Sequence, residues 1–293
     1  MRIHVIGNVQ LDVLANPVDT LPDPGGDSVI ERIDVRPAGA AGNVSLALAA
    51  LDTPHRLFSA VGDDYAGRWT LSELERLGLA ADILTKPGPT GISVAVESPT
   101  RERAFLTAYG ALSTWTLADL PADTFEADYL LLTGLFSLPA LRPHARTLLE
   151  QARSHGAITL LDTGWDPDDW QTTARQEVLD LLPLVDLYLP NEPEALAVTG
   201  QPTAAAALTA LPATTILKQG RQGALTSTLA VAAPTVTPLD TTGAGDSLAA
   251  ALIAELAGGN SLEDALTFAV HYASAVVTRP SDNRHPTRDE LAE

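Results

Sequence analysis

Asp128-Tyr-Leu-Leu-Leu132, Ala157-Ile-Thr-Leu-Leu161, Val185-Asp-Leu-Tyr-Leu189 and Thr214-Thr-Ile-Leu-Lys218 are four short apolar runs that decide the fold. Each has the length and composition of a strand, and the segments between them, 139–154, 172–182 and 191–199, carry helical patterns. Repeated strand–helix–strand units predict an α/β protein with a largely parallel sheet and helices on both faces. Outward from this block, residues 2–6 read as a buried strand ending at Gly7, and 41–51 and 65–77 read as helices. The Ala-rich 203–210 reads as an ordinary helix, and 244–257 and 261–278 close the chain with two more. The alternation fails twice, near 10–36 and near 90–110. The first excursion holds alternating Val29, Ile30, Ile33 and Val35; in the second, 91–96 and 103–108 flank Ser98-Pro99-Thr100-Arg101 as a hairpin would. Both are expected to form a small β lid beside the main sheet, within one unit spanning 1–293.

With 45% apolar and 19% charged residues, the 293-residue chain can build a sizeable core. Its 37 acidic residues against 18 basic ones give a formal charge of −19, which repels a phosphate backbone and argues against general nucleic-acid binding. One bound nucleotide is still allowed, because helix N-termini and metal ions offset charge locally. The absence of cysteine excludes disulfides, thiolate metal sites and a cysteine nucleophile. Six scattered histidines show no ligand spacing. No apolar stretch approaches the roughly 20 residues of a membrane span. The N-terminal Met-Arg-Ile-His-Val-Ile-Gly runs directly into strand-like sequence, so a cytoplasmic location without membrane association is expected.

Residues 240–247, Asp-Thr-Thr-Gly-Ala-Gly-Asp-Ser, precede the helical run Leu248 to Leu256. Gly243, Ala244 and Gly245 leave backbone N–H groups open to an anion at a helix N-terminus, where the macrodipole favours negative charge. Asp246, in the first turn, can then reach a hydroxyl lined up against a phosphate and take its proton late in transfer. A plain helix start, with Thr242 as N-cap and Asp246 serving the dipole, fits the octapeptide equally well.

Asp-Thr-Thr-Gly-Ala-Gly-Asp near the C-terminus resembles the signature of the PfkB, or ribokinase-like, carbohydrate kinases. Other landmarks follow in that family's order: Gly7-Asn-Val-Gln-Leu-Asp12, Ala38-Gly-Ala-Ala-Gly-Asn43, Gly62-Asp-Asp-Tyr-Ala-Gly67, Asn191-Glu-Pro-Glu194 and Lys218-Gln-Gly-Arg-Gln-Gly223. The resemblance implies a ribokinase-like fold and an ATP-dependent phosphotransferase acting on a sugar-like hydroxyl, with Asp246 as base and Gly243, Ala244 and Gly245 as anion hole. It implies substrate contacts from Asp12, Gly39 and Asn43, although Gly39 also reads as a packing glycine. Asn191 and Glu194 would act near the Mg²⁺-bound phosphates, indirectly through water, and as an ordinary capping box they would look the same. Lys218 would reach a phosphate, or stand exposed at its strand end; Gly220 and Gly223 would shape the adenosine platform. Asp240 and Thr242 stand where relatives bind a monovalent cation such as K⁺, partly through backbone carbonyls.

Asp162-Thr-Gly-Trp165-Asp166 resembles a family position facing the active site, with Trp165 equally readable as a structural plug; Arg103, in the lid hairpin, reads as a substrate contact or as solvated. Two departures stand out: Ala38 replaces the first glycine of its signature, and Asp52 stands where a glycine usually ends the following helix. Nucleoside kinases share the pattern, and a catalytically silent nucleotide-binding regulator would keep the fold. A dehydrogenase fits poorly, since the first strand leads into Gly-Asn-Val-Gln-Leu-Asp and not Gly-x-Gly-x-x-Gly. The lid sheet offers an edge through which two copies of the chain can form a homodimer.

Overall fold

The computed structural model describes residues 1–16, 18, 23–97 and 103–292. The strands are β1 (Ile3–Gly7), β2 (Gln10–Asn16), β3 (Arg32–Ala38), β4 (His55–Gly62), β5 (Ile83–Lys86), β6 (Ile92–Glu97), β7 (Arg103–Ala108), β8 (Tyr129–Thr133), β9 (Ile158–Asp162), β10 (Leu187–Tyr188), β11 (Thr214–Thr215), β12 (Leu217–Lys218), β13 (Ala224–Leu225) and β14 (Ala230–Val231). The helices are α1 (Ala40–Ala50), α2 (Tyr65–Glu75), α3 (Ala145–Ser154), α4 (Thr172–Leu181), α5 (Glu192–Thr199), α6 (Ala204–Ala210), α7 (Ala244–Ala257), α8 (Leu262–Val276) and α9 (Arg288–Ala292).

Seven strands form one parallel sheet in the order β11-β10-β9-β8-β1-β4-β5. β1 lies in the middle, with Val5 between Leu57 of β4 and Leu131 of β8. Successive side chains point to opposite faces, and both faces are covered, which is why these strands read as unbroken apolar runs. Ile3, Val5, Leu131 and Leu160 pack with Val44 and Leu48 of α1, Leu252 of α7 and Val270 of α8. Ile6, Leu130, Leu132 and Leu161 face the other way, onto Leu148 and Leu149 of α3, Val178 of α4 and Ala195 of α5. The expected α/β architecture is therefore present.

Several details differ from the sequence reading: the helix expected over 139–154 begins only at Ala145, and the short α9 was not singled out. β4 and β5 add two strands that the periodicity did not single out. The run at 214–218 is split: β11 joins the main sheet, while β12 opens a separate antiparallel sheet, β12-β13-β14. Asp52, just past α1, has a φ of 52°, so the chain does make the left-handed turn usually given to glycine there.

The lid is a four-stranded sheet, β3-β2-β6-β7, whose central strands β2 and β6 run parallel and whose outer pairs are antiparallel. It draws on both expected excursions. The Ser98-Pro99-Thr100-Arg101 turn and the side chain of Arg103 lie outside the described residues. Only Asn8 and Val9 separate the end of β1 from the start of β2, so the lid begins directly at the C-terminal edge of the main sheet. That edge is where open α/β sheets hold their ligands.

Candidate active site

α7 begins at Gly243, which has a φ of 72°. A side chain there would be strained, and its Cβ would come within 3.0 Å of Asn43 Nδ2. Thr242 is not the N-cap: Gly243 takes that place and no side chain caps the helix. The first-turn N–H groups of an uncapped helix need another partner, and an anion supplies one. Gly245 keeps the turn narrow, since a Cβ on it would sit 3.2 Å from the Lys218 ammonium.

Asp246 lies in this first turn, partly buried, with its Oδ2 accepting a 2.8 Å hydrogen bond from Asn43 Nδ2. Burial first, then the Asp162 carboxylate, push its pKa up to about 7, against the Asn43 bond and the charges of Lys218 and Arg284. A carboxylate half-protonated near neutrality is tuned to exchange a proton.

Lys218, at the end of β12, joins Asp162, at the end of β9, in a buried ion pair of 2.6 Å. Burial works against the ammonium, but Asp162 and then Glu194 outweigh it and hold the amine above its ordinary value. Lys218 is thus not an exposed strand-end lysine. Glu194 is 4% exposed. Its two oxygens accept from the backbone N–H (2.9 Å) and side-chain amide (2.8 Å) of Asn191, whose Oδ1 accepts from Glu194 N–H at 2.9 Å. The capping box is therefore real, and burial followed by Asp162 raises the Glu194 pKa.

On the lid side, a relay of amides fixes Asp12. Ala40 N–H donates to Asn8 Oδ1 (3.1 Å), Asn8 Nδ2 to Gln10 Oε1 (3.1 Å), and Gln10 Nε2 to Asp12 Oδ1 (3.0 Å). Asp12 is 5% exposed, and burial raises its pKa despite the Gln10 bond and the charge of Arg36. Gly39, at the start of α1 with a φ of 89°, would drive a Cβ to 2.4 Å from the Asn8 carbonyl oxygen, so its role is close packing.

A cavity of about 530 Å³ opens beside α7, lined by Lys218, Gly220, Gly223, Ala244, Gly245 and Val277 among others. Its mixed apolar walls and the uncapped helix start at one end fit a nucleoside with a phosphate tail. For Mg²⁺ the fit is indirect. Among the described residues no cluster of three acidic or imidazole groups could hold an ion, and both Glu194 oxygens are already in use. A metal kept mostly by phosphates and water, steadied by the acidic group around Asp162, suits this arrangement.

The 240–242 segment does not present open carbonyls to a metal ion. Arg284 Nη1 donates to Asp240 Oδ2 at 2.5 Å, and its Nη2 donates to the Asp240 carbonyl at 3.3 Å and to the Thr242 carbonyl. Arg36 Nη1, from the lid, also donates to Asp240 Oδ2 at 3.0 Å.

Most of the candidate residues thus come together, and Asp12 feels the charges of Arg36, Asp240 and Arg284 next to them. Gly243, Ala244, Gly245, Asp246, Asn43, Lys218, Asn191 and Glu194 meet at the edge of the main sheet; Gly220 and Gly223 line the cavity; Asp12 approaches from the lid. Asp162 was singled out in sequence only as facing the site, and its ion pair with Lys218 carried no local signal. Arg36 and Arg284 were not singled out at all. Trp165 is 50% exposed and meets the buried Trp170 edge-on at 5.9 Å.

Comparison with known proteins adds an independent line. Residues 2–288 match the profile of the pfkB family carbohydrate kinases. The chain is 28% identical over 277 residues to the 2-dehydro-3-deoxygluconokinase of Bacillus subtilis, covering 87% of this chain and 85% of that one. It is 27% identical to the ribokinase of the same organism, over 100% of this chain and 98% of the relative. Among solved structures, an Escherichia coli protein described as a putative ribokinase II, in complex with ATP and Mg²⁺, superposes with a TM-score of 0.85 at 21% identity, over 99% of this chain and 97% of that one.

Proposed function

The chain belongs to the pfkB family of carbohydrate kinases, and on that premise we propose that it transfers the γ-phosphoryl group of ATP to a hydroxyl of a sugar or sugar-like acceptor, with Asp246 as the general base. The observation that carries this reading is the position of Asp246: it follows an uncapped, glycine-lined helix start at the end of a nucleoside-sized cavity and is bonded to Asn43.

In this reading Asp12 and Asn43 hold acceptor hydroxyls, one from the lid and one from the start of α1. The reacting hydroxyl oxygen forms a bond to the γ-phosphorus as the bond to the bridging oxygen breaks; its proton passes to Asp246, and ADP departs with the bonding electrons. The N–H groups following Gly243 receive the charge on the transferring group, and Lys218 faces the phosphates from its pair with Asp162. Bound Mg²⁺ would neutralise phosphate charge, while Asn191 and Glu194 steady its water shell. Gly39 lets α1 approach the substrate side closely; Gly220 and Gly223 flank the adenosine.

Asp246→Asn keeps the shape and the Asn43 bond but removes the base. ADP formation should fall by at least ~10³-fold with Mg·ATP affinity within a factor of about three. Near-normal turnover would refute the base assignment. A panel of sugars, sugar acids and nucleosides in the same ADP assay identifies the acceptor, and separates a carbohydrate kinase from a nucleoside kinase of this fold.

The lid also has a role between molecules in this proposal. Its edge strands β3 and β7 expose Ile33, Val35, Phe105 and Leu106, the last at 73%, and a second copy would cover them. Sedimentation should show a dimer at micromolar concentration that Phe105→Lys returns to monomer; a wild-type monomer there ends the idea.

A further inference from the structure

The two residues before the anion-binding turn offer a set of oxygens whose occupant is already part of the chain. The carbonyls of Asp240 and Thr242, together with Asp240 Oδ2, make the hard-oxygen environment that an alkali cation favours. All three accept from the Arg284 guanidinium, whose side chain is only 6% exposed. Arg36 adds a second guanidinium on Asp240 Oδ2 and donates to Ser281 Oγ at 2.9 Å, which joins the lid to the segment that carries Arg284. The adjacent His285 stays neutral, its pKa pushed down to about 3 by burial and then by the charges of Arg284 and Arg36. All the positive charge facing Asp240 in these contacts is therefore covalently attached.

We infer that Arg284 is a resident cation: its guanidinium fills the oxygen set of 240–242 in place of a monovalent metal ion, and orders the turn at 243–246 without K⁺ or Na⁺. Two physical points support this. A second cation in a buried space a few ångströms from a guanidinium meets strong like-charge repulsion. A planar fork that bonds two carbonyls and a carboxylate at once fixes their relative orientation, which a spherical ion coordinating the same oxygens would do through contact distance alone. The carbonyls so held belong to the peptides leading into Gly243, so Arg284 acts as a positioning residue for the anion hole. This inference rests on reading 243–246 as the phosphate-binding turn.

The test compares wild type, Arg284→Ala and Arg284→Lys in KCl, NaCl and tetramethylammonium chloride at equal ionic strength. Thermal melting and Mg·ATP binding by calorimetry are measured in each. Wild type should give the same melting temperature and the same affinity in all three salts. Arg284→Ala in tetramethylammonium should bind Mg·ATP on the order of tenfold more weakly. K⁺ should restore most of that loss and raise the melting temperature of the variant alone, because an ion that binds only the folded state stabilises it. Arg284→Lys, which keeps the charge, should remain indifferent to the salt.

A wild-type protein whose melting or ATP binding requires K⁺ overturns the inference. So does an Arg284→Ala protein with wild-type affinity and no preference among salts. If Arg284→Ala does not fold, the wild-type series together with Arg284→Lys decides the matter, since a resident metal site would make both sensitive to K⁺. Failure of wild type to bind ATP in any salt would instead refute the kinase reading, and the melting series would still decide whether Arg284 excludes the ion.

Discussion

At the residue scale, the site depends on carboxylates held away from their ordinary protonation. Asp246 has its pKa raised from 3.8 to about 7, burial being the main cause and Asp162 the next. In the proposed role of base it would work only when deprotonated, so turnover should climb as pH rises through about 7 and level off above it. A kcat profile already flat from pH 5 upward would contradict this. The same shift sets a stability cost. Between the unfolded and folded pKa values the native state binds a proton that the unfolded chain has released, so stability falls as pH rises through that window. Asp246→Asn should therefore unfold at higher denaturant than wild type at pH 8, with a stability gain of ~1 kcal/mol after allowing for partial solvent access, and no gain near pH 3. Asp246, Asn43 and the flanking glycines were legible because they lie in short local motifs. The Lys218–Asp162 and Arg284–Asp240 contacts were not, since their partners are 56 and 44 positions apart and only the fold brings them together.

At the element scale, the Gly62-Asp-Asp-Tyr-Ala-Gly67 motif proves to be a structural knot between the core and the lid. Asp64 accepts from Gly67 N–H at 2.8 Å, capping α2, and from Thr90 N–H at 3.0 Å and Thr90 Oγ1 at 2.6 Å, just before β6 enters the lid. Thr90 Oγ1 is also the acceptor for Gly62 N–H at 3.0 Å. Asp64→Ala removes a cap and leaves Thr90 short of a partner, so unfolding free energy should drop by roughly 2 kcal/mol. Denaturant titration measures it; a loss below about 0.5 kcal/mol, the range of ordinary surface changes, would mean the knot is redundant. Most helix positions were readable from sequence to within about two residues, because their apolar stripes are long; α3, which starts six residues after the expected 139, and the short α9 were not. β4 was less so: it opens with His55 and Arg56, half-buried at the start of a strand whose remainder is fully buried. β5 is short, with two of its four residues exposed, and leaves little periodicity to read. The split at 214–218 is invisible to any pattern, since it reflects a change of pairing partner at Ile216 and not a change of residue type.

At the scale of the whole molecule, the proposed acceptor contact from Asp12 and the proposed phosphate contacts are carried by different parts of the fold. Asp12 sits on β2 of the lid, whereas Asp246 and Glu194 lie on α7 and α5, which flank the main sheet, and Lys218 ends β12, the first strand of the small antiparallel sheet. Acceptor binding should therefore draw the lid down and slow amide hydrogen exchange across β2, β6 and β7 while leaving α8 unchanged. Exchange in those strands that is indifferent to a turned-over acceptor would show the lid to be rigid. The lid as a whole was legible from the two breaks in alternation; its parallel β2–β6 pairing was not, because those strands are separated by β3, α1, β4, α2 and β5.

The two-residue tether at Asn8 and Val9 has a further consequence. Asn8 belongs both to that tether and to the amide relay that ends on Asp12, so in the proposed reading a swing of the lid about the tether would tug on its own recognition group. Any molecule seated against Asp12 thereby reports its fit to the backbone at once, and a poorly fitting one leaves the door ajar to water. Selectivity in such a design would be enforced by the timing of closure as much as by the strength of grip.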